Sequence, residues 1–372
     1  MELFPILERR NKLNDNLWYV LSPTNNMQVQ GGVGSKLCSR DTDIYITCGA
    51  QPDRSFGSVY HLSLDTFGLA KLQGEFGGRY EHVAVVHDNE VLVFGGADTS
   101  GNRNDLQKLN LVDGSVTDVP AVDAPSPRTI HNMGVSEGRV LVWGGGDTGA
   151  TPVQDSAIHS LNLGSREWSK YESTGEVPGP RHGHVICCVK DRLYLHGGME
   201  GENILGDLYS SDISKLKSQC VWMKHASSDR QPVARAAHSS TVHEKLFFIF
   251  GGFTGQHALD DLWRYDTDNG LWSEIIVQEP RPPPRLDLTI CTARLPFDEN
   301  QENKQESEDA RAQEPPPFQD ITSMLHQAAE ETAPLPDSSP ELPVSGYQDV
   351  LVLFGGMDLL GNIFNDIYAF KL

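Results

Sequence analysis

Apolar and polar positions along the chain repeat as a unit, clearest over residues 245–275, KLFFIFGGFTGQHALDDLWRYDTDNGLWSEI. The run 246–250 is apolar without alternation, which fits a strand covered on both faces. It ends at Gly251-Gly252, where the missing Cβ permits positive φ and a close approach of neighbouring backbone. A polar loop follows, Asp261-Leu262-Trp263 opens an alternating strand, and Trp272 marks another. Three strands are thus visible, and a fourth precedes them behind Arg235 and His238.

In chain order, Trp18 lies in a strand at 17–21 that arrives before any first strand. The first copy is worn: strands are expected at 33–38, 43–47 and 59–64 with a Phe67 segment, and Cys48-Gly49 stands where later copies carry two glycines. The second has Arg79 and His82, an apolar run at 91–94, Gly95-Gly96, then 105–111 and 116–119, without tryptophan. The third has Arg128, His131, Gly144-Gly145 and Trp168, and the fourth Arg181, His184, Gly197-Gly198 and Trp222. The sixth opens at Arg285, breaks after Arg294, and resumes at 350–354 with Gly355-Gly356 and a strand at 366–370. It lacks a fourth strand, and the Trp18 strand lacks a blade, so each supplies what the other needs.

Successive glycine pairs stand 47, 49, 53, 54 and 104 residues apart. Units of about 50 residues with four strands each are the repeat of the Kelch β-propeller, and the doubled interval is one repeat plus an insertion. With its glycine pairs, downstream Asp-Leu segments and last-strand tryptophans, the chain resembles the Kelch-repeat family. That resemblance implies an all-β, six-bladed Kelch-type β-propeller over residues 17–372, its last blade closed by the N-terminal strand, behind a tail at 1–16.

Several loops resemble the Rab GTPase effectors within that family: Arg54-Ser55-Phe56, Ser100-Gly101-Asn102-Arg103-Asn104, residues 125–129, 152–155 and 180–185, Arg285-Leu286-Asp287, and the acidic insertion. The resemblance implies binding of a GTP-bound Rab and a part in vesicle transport from late endosomes to the trans-Golgi network. Cys48, the stretch 31–35 without Arg or His, and Leu288 in place of His depart from the repeat in blades one and six.

The insertion at 297–346 is rich in Glu, Gln, Pro and Ser and is expected to be disordered. Between Asp298 and Glu341 it carries twelve acidic and two basic residues, a net of −10 out of −21 for the chain. Within it, Ile321, Met324, Leu325 and Ala328 share one helical face behind an Asp320 cap, which reads as a transient helix without a partner or else as a docking helix for a second partner. This acidity argues against nucleic acid or an anionic membrane surface as the main partner. Six scattered cysteines without a CxxC pair read as free buried thiols. The opening MELFPILERRNK carries no apolar signal region and no apolar span of ~18 residues occurs, so a cytoplasmic protein, peripherally recruited, is expected. The resemblance to the Rab effectors implies that the membranes are those of endosomes or the trans-Golgi network, and a monomer is expected.

Candidate chemistry is sparse. His82, His131, His184 and His238 sit at one repeat position of different blades, a wide ring rather than a metal site. The glycine pairs lack the GxGxxG spacing and following helix of a phosphate site. No catalytic, cofactor or metal residue is assigned, and a non-enzymatic protein-binding platform is expected. Its rivals are a metal-dependent propeller enzyme or specifier, and a ubiquitin-ligase adaptor, whose BTB domain does not fit before Trp18. Arg79, Arg128, Arg181, Arg235 and Arg285 surround one channel mouth, on the face where Asp105, Asp155, Asp207, Asp261 and Asp366 end their loops. They are read as paired with those carboxylates, or else as a positive rim for an acidic partner. Loops on a rigid scaffold carry binding, so the partner is expected at Arg54, Arg103, Gln154, Glu200 and Gln256.

Overall fold

The computed structural model describes residues 3–130, 132–148, 151–214, 219–298 and 345–372. It is all-β, without a helix among the described residues, and its strands are arranged in a propeller-like way. The insertion beyond Asp298, with its Ile321, Met324, Leu325 and Ala328 face, lies outside the described residues, as does His131.

Sequence-adjacent strands pair antiparallel as meanders, the connection that short turns allow. The fifth shows why these residues form strands: Ser239–His243, Leu246–Phe250, Leu262–Asp266 and Leu271–Ile275 pair in that order. Along its second strand, Phe248 and Phe250 enter one core with Trp18, Ile290 and Leu353. Phe247 and Ile249 point the other way, into a core with Val185, Tyr194 and Trp272. A strand buried between two neighbouring meanders has no polar face, hence the unbroken apolar run.

The second meander holds Val83–His87, Glu90–Phe94, Leu106–Asn110 and Val116–Val119. The third (Gly134–Ser136, Arg139–Val142, Ile158–Asn162, Trp168–Gly175) and fourth (Val185–Val189, Arg192–His196, Leu208–Asp212, Gln219–Lys224) join into one eight-stranded sheet through parallel pairing of their outermost strands, from Glu172↔Gln219 to Gly175↔Trp222. In the sixth, Thr289–Phe297, Gly346–Phe354 and Ile367–Lys371 are completed by Trp18–Leu21, with Trp18 opposite Phe370. Trp18 is fully buried, 5.0 Å from the Phe370 ring and 5.5 Å from Phe250. Trp168, Trp222 and Trp272 are buried in the outermost strands of their own meanders. Part of the stretch set apart as 1–16 also joins the sheet, because Ile6–Leu7 lies parallel to Val20 and Leu21 and buries Leu7.

The first meander differs from expectation. Its strands are Lys36–Arg40, Asp43–Gln51, Arg54–Ser63 and Leu69–Glu75. Without a glycine pair to break it, the second strand absorbs a register shift between Thr47 and Gly49, with Cys48 itself at φ 52°, and runs on to a tight turn at Pro52-Asp53. Arg54-Ser55-Phe56 is therefore strand, not loop.

Five backbone hydrogen bonds pass from meander to meander: Ile130 N–H to Glu81 O (2.6 Å), Glu81 to Gly34 (2.9 Å), Gly34 to Asp287 (3.4 Å), Asp287 to Ala237 (2.9 Å) and Ala237 to Gly183 (2.7 Å). They link the third, second, first, sixth, fifth and fourth meanders in turn. All six cysteines are free and buried.

Candidate functional site

After each of the five glycine pairs the chain turns out into a hairpin or short loop that returns to the third strand. Gly251 and Gly252 have φ of 68° and 99°, and a Cβ on Gly252 would stand 2.7 Å from Ala236 O. Each of these five excursions, like the second strand of the first meander, is bridged to the connection entering its own meander: Val33↔Ala50 in the first, then Tyr80↔Ala97, Thr129↔Gly146, His182↔Met199, Ala236↔Phe253 and Leu286↔Met357. Connections and hairpins therefore share one face.

The five arginines hold that face together from inside. Each sends Nε–H to the carbonyl two residues back, Nη1–H to the carbonyl of the first glycine, and Nη–H groups to the aspartate at the start of the third strand. For Arg235 these are Val233 O (3.1 Å), Gly251 O (3.0 Å), and Asp261 Oδ1 and Oδ2 (2.6 and 2.8 Å). Arg79 pairs with Asp105, Arg181 with Asp207 and Arg285 with Asp366 in the same fork. Arg128 reaches Asp155 at 3.4 Å only, because His159 Nε2 lies 2.6 Å from the same oxygen. Four of these guanidinium groups are 0% exposed and that of Arg181 2%, so they present no positive rim. Burial works to raise the Asp105 carboxyl, but hydrogen bonds from Arg103 and Arg79 outweigh it and hold the group well below the usual carboxylate range.

Histidines of the repeat tie meanders to their neighbours. His82 Nε2 lies 2.8 Å from Thr47 Oγ1, His184 Nε2 3.0 Å from Trp143 O, and His238 Nε2 3.1 Å from His196 Nδ1. Burial pushes His82 well below its ordinary value and His196 down to about 3, so both are neutral at physiological pH. Among the described residues no group of three or more His, Cys, Asp or Glu is placed to hold a metal.

A channel of about 320 Å³ runs among the innermost strands, lined by Lys36, Ser39, Asn132, Ser240, Thr241 and Thr292 among others. Burial brings the Lys36 ammonium down to about 8 against the opposing pull of Glu81 and Asp287. Burial also raises the Cys38, Cys187 and Cys291 thiols that border the channel, so they are protonated and poor nucleophiles.

Of the residues expected to meet a partner, Arg54, Gln154, Glu200 and Gln256 are exposed on the hairpin face. Arg103 is not available: Nε and Nη2 donate to Asp105 and Nη1 to Asp98, at 2.8–2.9 Å. It props the Arg79–Asp105 pair from outside. The sequence reading missed Leu359 and Leu360, 53% and 88% exposed at the tip of the sixth meander. Their signal was an Asp358-Leu-Leu-Gly361 turn whose counterparts elsewhere are polar.

Glycine-pair hairpins locked by a buried Arg–Asp fork, repeated on a propeller-like all-β body, define a Kelch-repeat protein. The family model described as the KLHDC2/KLHL20/DRC7 Kelch-repeats domain matches residues 10–155 and 135–295. The rat Rab9 effector protein with kelch motifs is 30% identical over 98% of both chains, and the mouse protein of that name 31% over 98% of this chain and 96% of its own. The bovine one is 37% identical over 56% of this chain, a match that spans 59% of that relative. The chain belongs to the family of the Rab9 effector protein with kelch motifs.

Proposed function

We propose that the chain is a closed six-bladed Kelch propeller that acts without catalysis as the effector of a GTP-bound Rab GTPase. It works in transport from late endosomes to the trans-Golgi network, as a cytoplasmic monomer recruited peripherally to those membranes. The observation that carries this is likeness over 98% of both chains to a relative named as a Rab9 effector. The meander-to-meander hydrogen bonds and the pairing of Trp18–Leu21 with the last strand support the closed ring. The rigid hairpin face supports a binding role.

Capture from a panel of Rab proteins loaded with GTP analogue or GDP tests the reading: retention of a GTP-loaded Rab alone is expected, and retention of none would sink it. The insertion leaves from Phe297 and returns at Gly346, the strand ends remote from Arg285 and Gly355. Deleting residues 299–344 is therefore expected to leave that capture intact, and its loss in a folded protein would move the docking site to the insertion.

A further inference from the structure

We infer that the partner docks at the tips of the sixth and first meanders, with Leu359 and Leu360 as its apolar anchor and Arg54 as the charged flank. This rests on the effector reading and gives it a place. Large side chains left in water at a rigid tip are unused binding energy, and anchors of this kind dominate interfaces.

The turn is held rigidly. Asp358 Oδ1 accepts Leu360 N–H and Asn362 N–H, both at 2.9 Å, Oδ2 accepts Asn362 Nδ2–H at 2.7 Å, and Asp358 N–H donates to Asn362 O at 3.1 Å. Beneath it Met357 bridges to Leu286 and Ile363, and the Arg285 guanidinium covers the Phe364 ring at 4.1 Å. A pre-ordered tip loses little entropy when it is covered. Residues at the other described tips are polar or small, with Pro52-Asp53, Thr99-Ser100, Gly201-Glu202 and Gly255-Gln256 in the corresponding places.

Arg54 supplies the charge. It is exposed and forms no ion pair with any described residue, whereas Arg103 on the next hairpin is tied up by Asp98 and Asp105. The two tips flank one thin strip of backbone. Gln51, the partner of Arg54 across its hairpin, donates Nε2–H to Gly31 O at 3.2 Å, and a Cβ on Gly31 would stand 3.0 Å from Phe364 O. A cation on the tip next to that of two exposed leucines, on a chain of net charge −21, fits an apolar depression bordered by a carboxylate. We assign that surface to the GTP-bound Rab.

The test is calorimetric titration of the full chain with Rab9 loaded with a non-hydrolysable GTP analogue. Leu359→Ser/Leu360→Ser is expected to weaken binding by about tenfold or more, and Arg54→Glu by a smaller, salt-dependent factor, while Gln256→Ala stays within about twofold. All of these positions are exposed, so melting temperatures are expected to match wild type. Wild-type affinity in the double-leucine variant overturns the docking inference and leaves the effector reading standing. Failure of the wild-type chain to bind any GTP-loaded Rab overturns both. A wild-type dimer in light scattering that the leucine changes convert to monomer overturns the inference in favour of a second copy as the occupant.

Discussion

The first and fifth meanders solve the same problem with different chemistry. In the fifth, Arg235 donates to the Gly251 carbonyl and forks onto Asp261, which fixes the exit of the second strand and the entry of the third. In the first, Gly32 stands at the arginine position and Ser58 at the aspartate position. Ser35 Oγ–H takes over the bond to the Cys48 carbonyl at 2.8 Å, and the Phe56 ring occupies the space, so close that a Cβ on Gly32 would lie 2.6 Å from its Cζ. The fork is what a loop of eight or more residues needs at its base. A two-residue turn at Pro52-Asp53 needs no such base, and apolar packing suffices.

The two meanders differ most in what the fork contributes. Arg235→Ala leaves two carbonyls without their donor at the base of a loop and Asp261 with the Trp263 Nε1–H alone, and is expected to cost roughly 2–4 kcal/mol in denaturant unfolding, at or below the usual range for a breached buried pair. Asp261 keeps 20% of its side-chain exposure, which moderates the loss. Arg128→Ala is expected to cost less, because His159 already shares Asp155. Equal losses would deny that fork geometry matters. Arg103→Glu comes next: it places a carboxylate against Asp98 and Asp105 and should lower the melting temperature by several degrees, roughly 1–2 kcal/mol. An unchanged melting temperature would return Arg103 to the set of residues free to meet a partner.

Acid sharpens the same contrast. Burial opposes ionisation of Asp105 and Asp207, but arginine hydrogen bonds hold both below the ordinary carboxylate range. A carboxyl depressed by folding adds stability above its unfolded value of about 4 and loses it as pH falls through the folded value. Wild-type protein should therefore weaken below about pH 4, and Arg181→Ala, with Asp207 deprived of its main cation, should show a shallower decline. Identical pH profiles would remove the forks from the acid response.

The sequence carried what strands and repeats impose. An unbroken apolar run followed by two glycines reports burial between two neighbours and a sharp exit, so the second strands of the second to sixth meanders, the Trp18 strand and the Arg–Asp pairing were legible. What failed has a physical cause. Arg103 read as a free cation because the sequence does not show that Asp98 and Asp105 close around it. The first meander was misjudged because its strand passes through Cys48-Gly49 on a register shift, which leaves no apolar periodicity. Leu359 and Leu360 were passed over because their exposure depends on the turn at Asp358, which the apolar pattern does not show.

The smallest expected effect is the most specific. Gly32 does not sit at positive φ, so Gly32→Ala meets only the Phe56 ring and Ser35 Oγ, at 2.6 and 2.8 Å. Overpacking of this kind should cost about 1–2 kcal/mol. Phe56→Ala should also destabilise, through loss of a half-buried ring. Once the ring is gone, the methyl group has only Ser35 Oγ to displace, so the loss in the double variant should be about 1 kcal/mol smaller than the sum of the single losses. Strict additivity would mean that Phe56 does not fill the place of the missing guanidinium, and the first meander would then be held by something other than this ring.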